Sequence, residues 1–99
     1  MLFIALIDDK KYGMDQIEEL YTNEEHTLKY FSSFREFSES GEKFDVVYLD
    51  YYLENDGTTG DQILSEVKLR AKKVVAFSSV PRCGRLLKEL GADEALVKE

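Results

Sequence analysis

Phe44-Asp45-Val46-Val47-Tyr48-Leu49-Asp50 decides the fold. A run of β-branched, aliphatic and aromatic residues leads into one carboxylate. The polar loop Tyr51-Tyr52-Leu53-Glu54-Asn55-Asp56-Gly57 follows at once. Such a run reads as a buried strand. Open α/β sheets bind their ligands outside the carboxyl ends of the strands, which is where Asp50 stands.

The pattern recurs on both sides. Upstream, Leu2 to Ile7 is unbroken apolar sequence, as expected of a central strand covered on both faces, and it ends in Asp8-Asp9. Leu28 and Tyr30 alternate with Thr27, Lys29 and Phe31, which predicts a short strand near a sheet edge. Downstream, Lys73 to Phe77 ends in Ser78-Ser79, and Ala95-Leu96-Val97 ends in Lys98-Glu99.

Helical patterns separate these strands. Met14, Ile17, Leu20 and Tyr21 recur at helical spacing over about 10–21, with Gly13 weakening the first turn. Ser33-Phe34-Arg35-Glu36 fits a capping box that opens a short helix closed by Gly41 in a left-handed C-cap. Thr59-Gly60-Asp61-Gln62 is a second cap-like start, with Ile63, Leu64 and Val67 as the buried stripe. Pro81 suits the first turn of a fourth helix, Arg82 to Leu90, closed by Gly91. Strict alternation of strand and helix implies one α/β domain over 1–99, a doubly wound, mostly parallel five-stranded sheet with helices on both faces. In a parallel sheet Asp8, Asp9, Asp50, Ser78 and Lys98 all arrive at one rim.

Composition bounds what that rim can meet. The chain has 20 acidic and 13 basic residues, for a net charge of −7, which argues against nucleic acid as a partner. Its one cysteine, Cys83, cannot form an internal disulfide, in keeping with a reducing cytoplasm. No stretch is long and apolar enough for a targeting segment or membrane span.

Clustered carboxylates repel, and burial raises their pKa values. A hard divalent cation or a nearby ammonium relieves both costs. Mg²⁺ (or Mn²⁺) takes oxygen ligands and combines one or two carboxylates with substrate phosphate. Lys98 meets a phosphate as a point charge, and Ser78 supplies a hydroxyl. Those are the parts of a phosphoryl-transfer site, with Asp50 as nucleophile.

On these five residues, over essentially the whole length, the chain resembles a response-regulator receiver domain of two-component signalling. The resemblance implies a flavodoxin-like fold with strand order 2-1-3-4-5, an order for which the general rule itself cites a receiver protein. It implies phosphoryl transfer from a sensor histidine kinase or phosphotransfer protein to Asp50, in a signalling domain that assists its own Mg²⁺-dependent chemistry and is not otherwise an enzyme. Asp9 then ligates the metal directly, Asp8 mainly through water, and Asp50 and the backbone carbonyl of Tyr52 complete the protein ligands. Lys98 pairs with the phosphoryl group and Ser78 moves to donate a hydrogen bond to it, though Ser79 is the alternative hydroxyl. The added charge biases the loop after Ser78 and the fourth helix between two arrangements.

Three departures accompany the resemblance. Ala95 stands where receivers carry an aromatic switch residue, and Glu99 where proline usually follows the lysine. The fifth helix is absent. An uncovered apolar sheet face would be unusual on a monomer, so a homodimer or a docked partner is expected there. Tyr52 is read as packing over the loop or, more sharply, as shielding the phosphoryl group from water. Tyr48 is read as core, His26 as a loop residue and Cys83 as a small helix residue. The competing function is a receiver-like interaction or dimerisation module with weak or no phosphorylation. A haloacid-dehalogenase-type phosphatase would want Asp-x-Asp after the first strand, whereas Asp8-Asp9 is followed by Lys10.

Overall fold

Ile4–Ile7, Val46–Leu49 and Val74–Phe77 are sequences that water could not solvate on either face, and all twelve residues are buried. The computed structural model, which describes residues Met1–Glu99, sets them side by side at the centre of a parallel sheet. In chain order the elements are β1 (Leu2–Ile7), α1 (Met14–Leu20), β2 (His26–Phe31), α2 (Phe34–Ser40), β3 (Phe44–Leu49), β4 (Tyr52–Leu53), β5 (Thr58–Thr59), α3 (Gly60–Lys68), β6 (Ala71–Ser78), α4 (Pro81–Glu89) and β7 (Glu94–Val97). The sheet order is β2-β1-β3-β6-β7. Counting only its five strands, that is the expected 2-1-3-4-5, with four helices.

Two cores flank the sheet. Ala5, Ile7, Val47, Leu49, Val74 and Ala76 pack on Phe37 of α2, Ile63, Leu64 and Val67 of α3, and Leu87 of α4. On the opposite face Ile4, Leu6, Val46, Tyr48, Val75 and Phe77 pack on Ile17 of α1, with Met14 and Tyr21 beside it.

That second face bears on one expectation. With no fifth helix, part of it was expected to be exposed or covered by something else, and Val46, Tyr48, Val75 and Phe77 are no more than 8% exposed. The cause is α1, which lies over the middle of the sheet. A Cβ on Gly13 would stand 2.2 Å from Cε2 of Phe77, so only glycine lets the helix start sit directly on that ring. At the other end of α1 the Tyr21 and Tyr48 hydroxyls are hydrogen bonded at 2.7 Å. What the missing helix leaves open is the margin at β7, where Glu94, Ala95 and Val97 are exposed and Leu96 is half-buried.

Local signals held with small shifts. Ser33 caps α2 by accepting from the Glu36 amide at 3.1 Å. The return bond of the box runs one residue early: the Ser32 amide and hydroxyl both donate to the Glu36 carboxylate at 2.7 Å. Gly41 closes α2 with φ 66°. Helix α1 begins at Met14 and not near Lys10, with residues 10–13 forming a bend and a turn ahead of it. Thr59 stands at the N-cap of α3, but its hydroxyl donates to Asp61 and caps no amide.

Candidate functional site

At the carboxyl rim the ladder runs one residue past β1, β3 and β7. The Asp8 amide donates to the Phe31 carbonyl at 3.1 Å, the Asp50 amide to the Ile7 carbonyl at 3.0 Å and the Lys98 amide to the Ser78 carbonyl at 2.9 Å. These bonds hold the functional residues as extensions of rigid strands. Asp8 is 2% exposed, Asp50 7% and Ser78 4%. One carboxylate oxygen from each of Asp8, Asp9 and Asp50 lies within 4.8 Å of the others.

Lys98 is the counter-charge. Its Nζ donates to Asp8 Oδ2 at 2.5 Å and to Asp50 Oδ1 at 3.2 Å. The ammonium also stands 5.4 Å from the centroid of the Phe77 ring beneath it. The other oxygen of Asp8 accepts from the Lys10 amide at 3.0 Å. Burial, and after it the charge of Asp8, pushes the Asp50 carboxyl up from 3.8 to about 6 against the pull of Lys98. Burial likewise raises Asp8, with the Lys98 hydrogen bond opposing. For Lys98, burial works against the charge, but the bond to Asp8 and the fields of Asp50 and Asp8 outweigh it and hold the ammonium above its usual range.

Ser78 accepts from the Val80 amide at 3.1 Å through Oγ, which leaves its hydroxyl proton free to donate. Ser79 is exposed; both serines line the same polar cleft of about 360 Å³ as Asp8, Asp9, Asp50 and Lys98. Tyr52 forms one wall, half exposed, and its hydroxyl lies 3.9 Å from the sulfur of Cys83 on α4. Tyr12 and Glu54 line the cleft as well. Ala95 is absent from this cleft, and it lies close against α4: a Cβ on Gly84 would meet the Ala95 Cβ at 3.5 Å. All five rim residues predicted from the strand ends thus meet in one place.

Sequence reasoning missed Gly60. Its amide donates to the Tyr51 carbonyl at 2.6 Å, and a Cβ there would stand 2.7 Å from the carbonyl oxygen of Asp50. The first residue of α3 therefore presses on the exit of β3, and only glycine fits. A glycine directly at a helix start, between Thr59 and Asp61, was the available signal. The β4–β5 hairpin, Tyr52 opposite Thr59 and Leu53 opposite Thr58, was missed too, being two residues per strand.

The donor set suits a hard cation. Octahedral Mg²⁺ at about 2.1 Å from each ligand holds oxygens no more than about 4.2 Å apart. Three carboxylate oxygens within 4.8 Å need a slight contraction, or a water in place of one direct bond.

No protein-family model matches the chain, and no curated protein matches it. Solved structures do. The response regulator DrrB of Thermotoga maritima is 27% identical with a TM-score of 0.74, over 99% of this chain and 46% of that one. A response regulator receiver domain protein from Clostridium thermocellum is 25% identical with a TM-score of 0.70, over 99% and 82%. The response regulator TrrA of Thermotoga maritima, solved in complex with Mg²⁺-BeF, is 21% identical with a TM-score of 0.77, over 100% and 88%.

Proposed function

We propose that this chain, which has the fold of a response-regulator receiver domain with four helices, is a phosphoacceptor switch that takes a phosphoryl group on Asp50. The observation that carries the proposal is the geometry at one strand end. A desolvated carboxylate stands 3.2 Å from a part-buried ammonium, with two further carboxylates and a free hydroxyl proton beside it.

The donor is a phosphohistidine on a sensor histidine kinase or phosphotransfer protein. Asp50 Oδ attacks phosphorus; the P–O bond forms as the P–N bond breaks, and the departing imidazole keeps the bond pair and takes up a proton. Asp50 must be ionised to attack, and above about pH 6 it is. Mg²⁺ held by Asp9, Asp50, the Tyr52 carbonyl and, through water, Asp8 would neutralise charge on the phosphoryl oxygens. Lys98 leaves its carboxylate partners to meet one phosphoryl oxygen, and Ser78 donates to another. Tyr52, as a cleft wall, limits the approach of the hydrolytic water. The loop between Ser78 and Pro81 opens α4, so a hydroxyl that turns toward the phosphoryl group gives up its bond from the Val80 amide and shifts the start of that helix.

Incubation with Mg²⁺ and acetyl phosphate, followed by intact mass, tests the proposal. A gain of one phosphoryl group that vanishes in Asp50→Asn supports it. An unmodified wild-type chain under conditions that label a control receiver refutes it and leaves the interaction-module reading.

A further inference from the structure

Lys98 acts at the end of a four-residue edge strand, a place where backbone ordinarily frays. Its own amide is tied to Ser78 on the inner side. The outer side is tied as well, by a residue far away in sequence. Gln16, half-buried on α1, donates from Nε2 to the Val97 carbonyl at 2.9 Å, and its Oε1 accepts from the Glu99 amide at 2.9 Å. These are the two outward-facing edge groups that bracket Lys98. A carboxamide carries one donor and one acceptor side by side, as a peptide group does, so one side chain serves as a strand partner. The grip falls on Val97 and Glu99, the two residues that flank Lys98.

We infer that Gln16 is a positioning residue for Lys98, holding its backbone so that the ammonium is already in place for the phosphoryl group. The inference rests on the phosphoacceptor function proposed above. A lysine side chain carries about 2 kcal/mol of rotamer entropy, and a loose backbone beneath it would add to the cost of meeting a ligand. Gln16 removes the backbone share before the ligand arrives. It does not line the cleft and its hydrogen bonds go to Val97 and Glu99, so its effect on the ligand is expected through Lys98 between them.

The test is a double-mutant cycle on the full 99-residue chain. Beryllofluoride binding in saturating Mg²⁺ is followed by fluorine NMR, and Mg²⁺ binding alone by amide shifts. Gln16→Ala should weaken beryllofluoride binding by about tenfold, equivalent to about 1.4 kcal/mol, with Mg²⁺ affinity within a factor of about two. Gln16→Glu, which keeps the acceptor for Glu99 and loses the donor to Val97, should fall between. In a Lys98→Ala background, Gln16→Ala should have no further effect, because the lysine it positions is gone. An equal loss in both backgrounds overturns the inference, as does no loss in either. A parallel fall in Mg²⁺ affinity and thermal midpoint also overturns it, since that is general loosening. Should wild-type protein take neither beryllofluoride nor phosphoryl, the proposed function fails, and nitrogen relaxation at Lys98 then decides the positioning contact. Faster motion there in Gln16→Ala supports the contact; unchanged motion overturns it.

Discussion

Replacing Asp50 with asparagine should make the metal-free protein more stable at neutral pH. In the folded chain the carboxyl titrates near 6, against 3.8 for an unperturbed one. Its folded pKa is raised, so the folded state binds this proton more tightly than the unfolded chain does. Its favourable contribution is complete below about pH 4 and is lost as pH rises through about 6. Each pKa unit is worth about 1.4 kcal/mol, so holding Asp50 ionised costs the fold about 3 kcal/mol above pH 7. Asparagine is nearly the same size and carries no charge to desolvate. Its gain is smaller than the full cost, because Lys98 keeps only Asp8 as a close partner; about 1–3 kcal/mol remains, or roughly 4–20 °C in midpoint for a chain of this length. Urea unfolding in EDTA across pH 4 to 8 measures it. The two proteins should be close at pH 4, diverge through pH 5–6 and hold a constant gap above pH 7. Added Mg²⁺ should narrow the gap by stabilising the wild type more. An asparagine variant no more stable than wild type at pH 7.5, or a gap independent of pH, would refute the electrostatic account of the site.

Gly60→Ala should cost about 1–3 kcal/mol by chemical denaturation, because its Cβ would press on the Asp50 carbonyl at 2.7 Å, and it should slow acetyl phosphate labelling by displacing Asp50. His26 faces two acceptors, the Glu24 carbonyl at 2.9 Å and the Glu18 carboxylate at 2.7 Å, so both ring nitrogens donate only as imidazolium. Those two bonds, that to Glu24 first, raise its pKa above 6.5; its contribution is full below that value and is lost as pH rises through the raised one, a slope that His26→Gln should flatten in thermal melts. Sedimentation at high concentration should give a monomer, since α1 already buries Val46, Tyr48, Val75 and Phe77; a tight dimer would show that the β7 margin is sticky despite its exposed Glu94.

The site was legible because of how strands end. Buried parallel strands read as unbroken apolar runs, so Asp8, Asp50 and Ser78 marked themselves by interrupting them, and the alternation with helices placed all of them on one rim. The tertiary role of α1 was not legible. Met14, Ile17 and Tyr21 announced an amphipathic helix, but a helical stripe does not say which strands it crosses. That depends on Gly13 fitting over Phe77 and on Tyr21 meeting a tyrosine hydroxyl in the middle of the sheet. Gln16 gave no signal either. A glutamine on a helix flank reads as solvated surface, and its partners are peptide groups, which carry no residue type to recognise.

Lys98 and Asp8 lie 90 residues apart in the chain and 2.5 Å apart in space. A ribosome therefore releases the two carboxylates long before the ammonium that makes their burial tolerable. Until β7 docks on β6, Asp8 and Asp50 lack the ammonium that offsets their burial in the finished fold, so water at an open rim is what stabilises their charge. Docking of β7 thus adds the edge strand and completes the charge balance of the site in one step. A chain cut short before it would be left both incompletely folded and chemically inert.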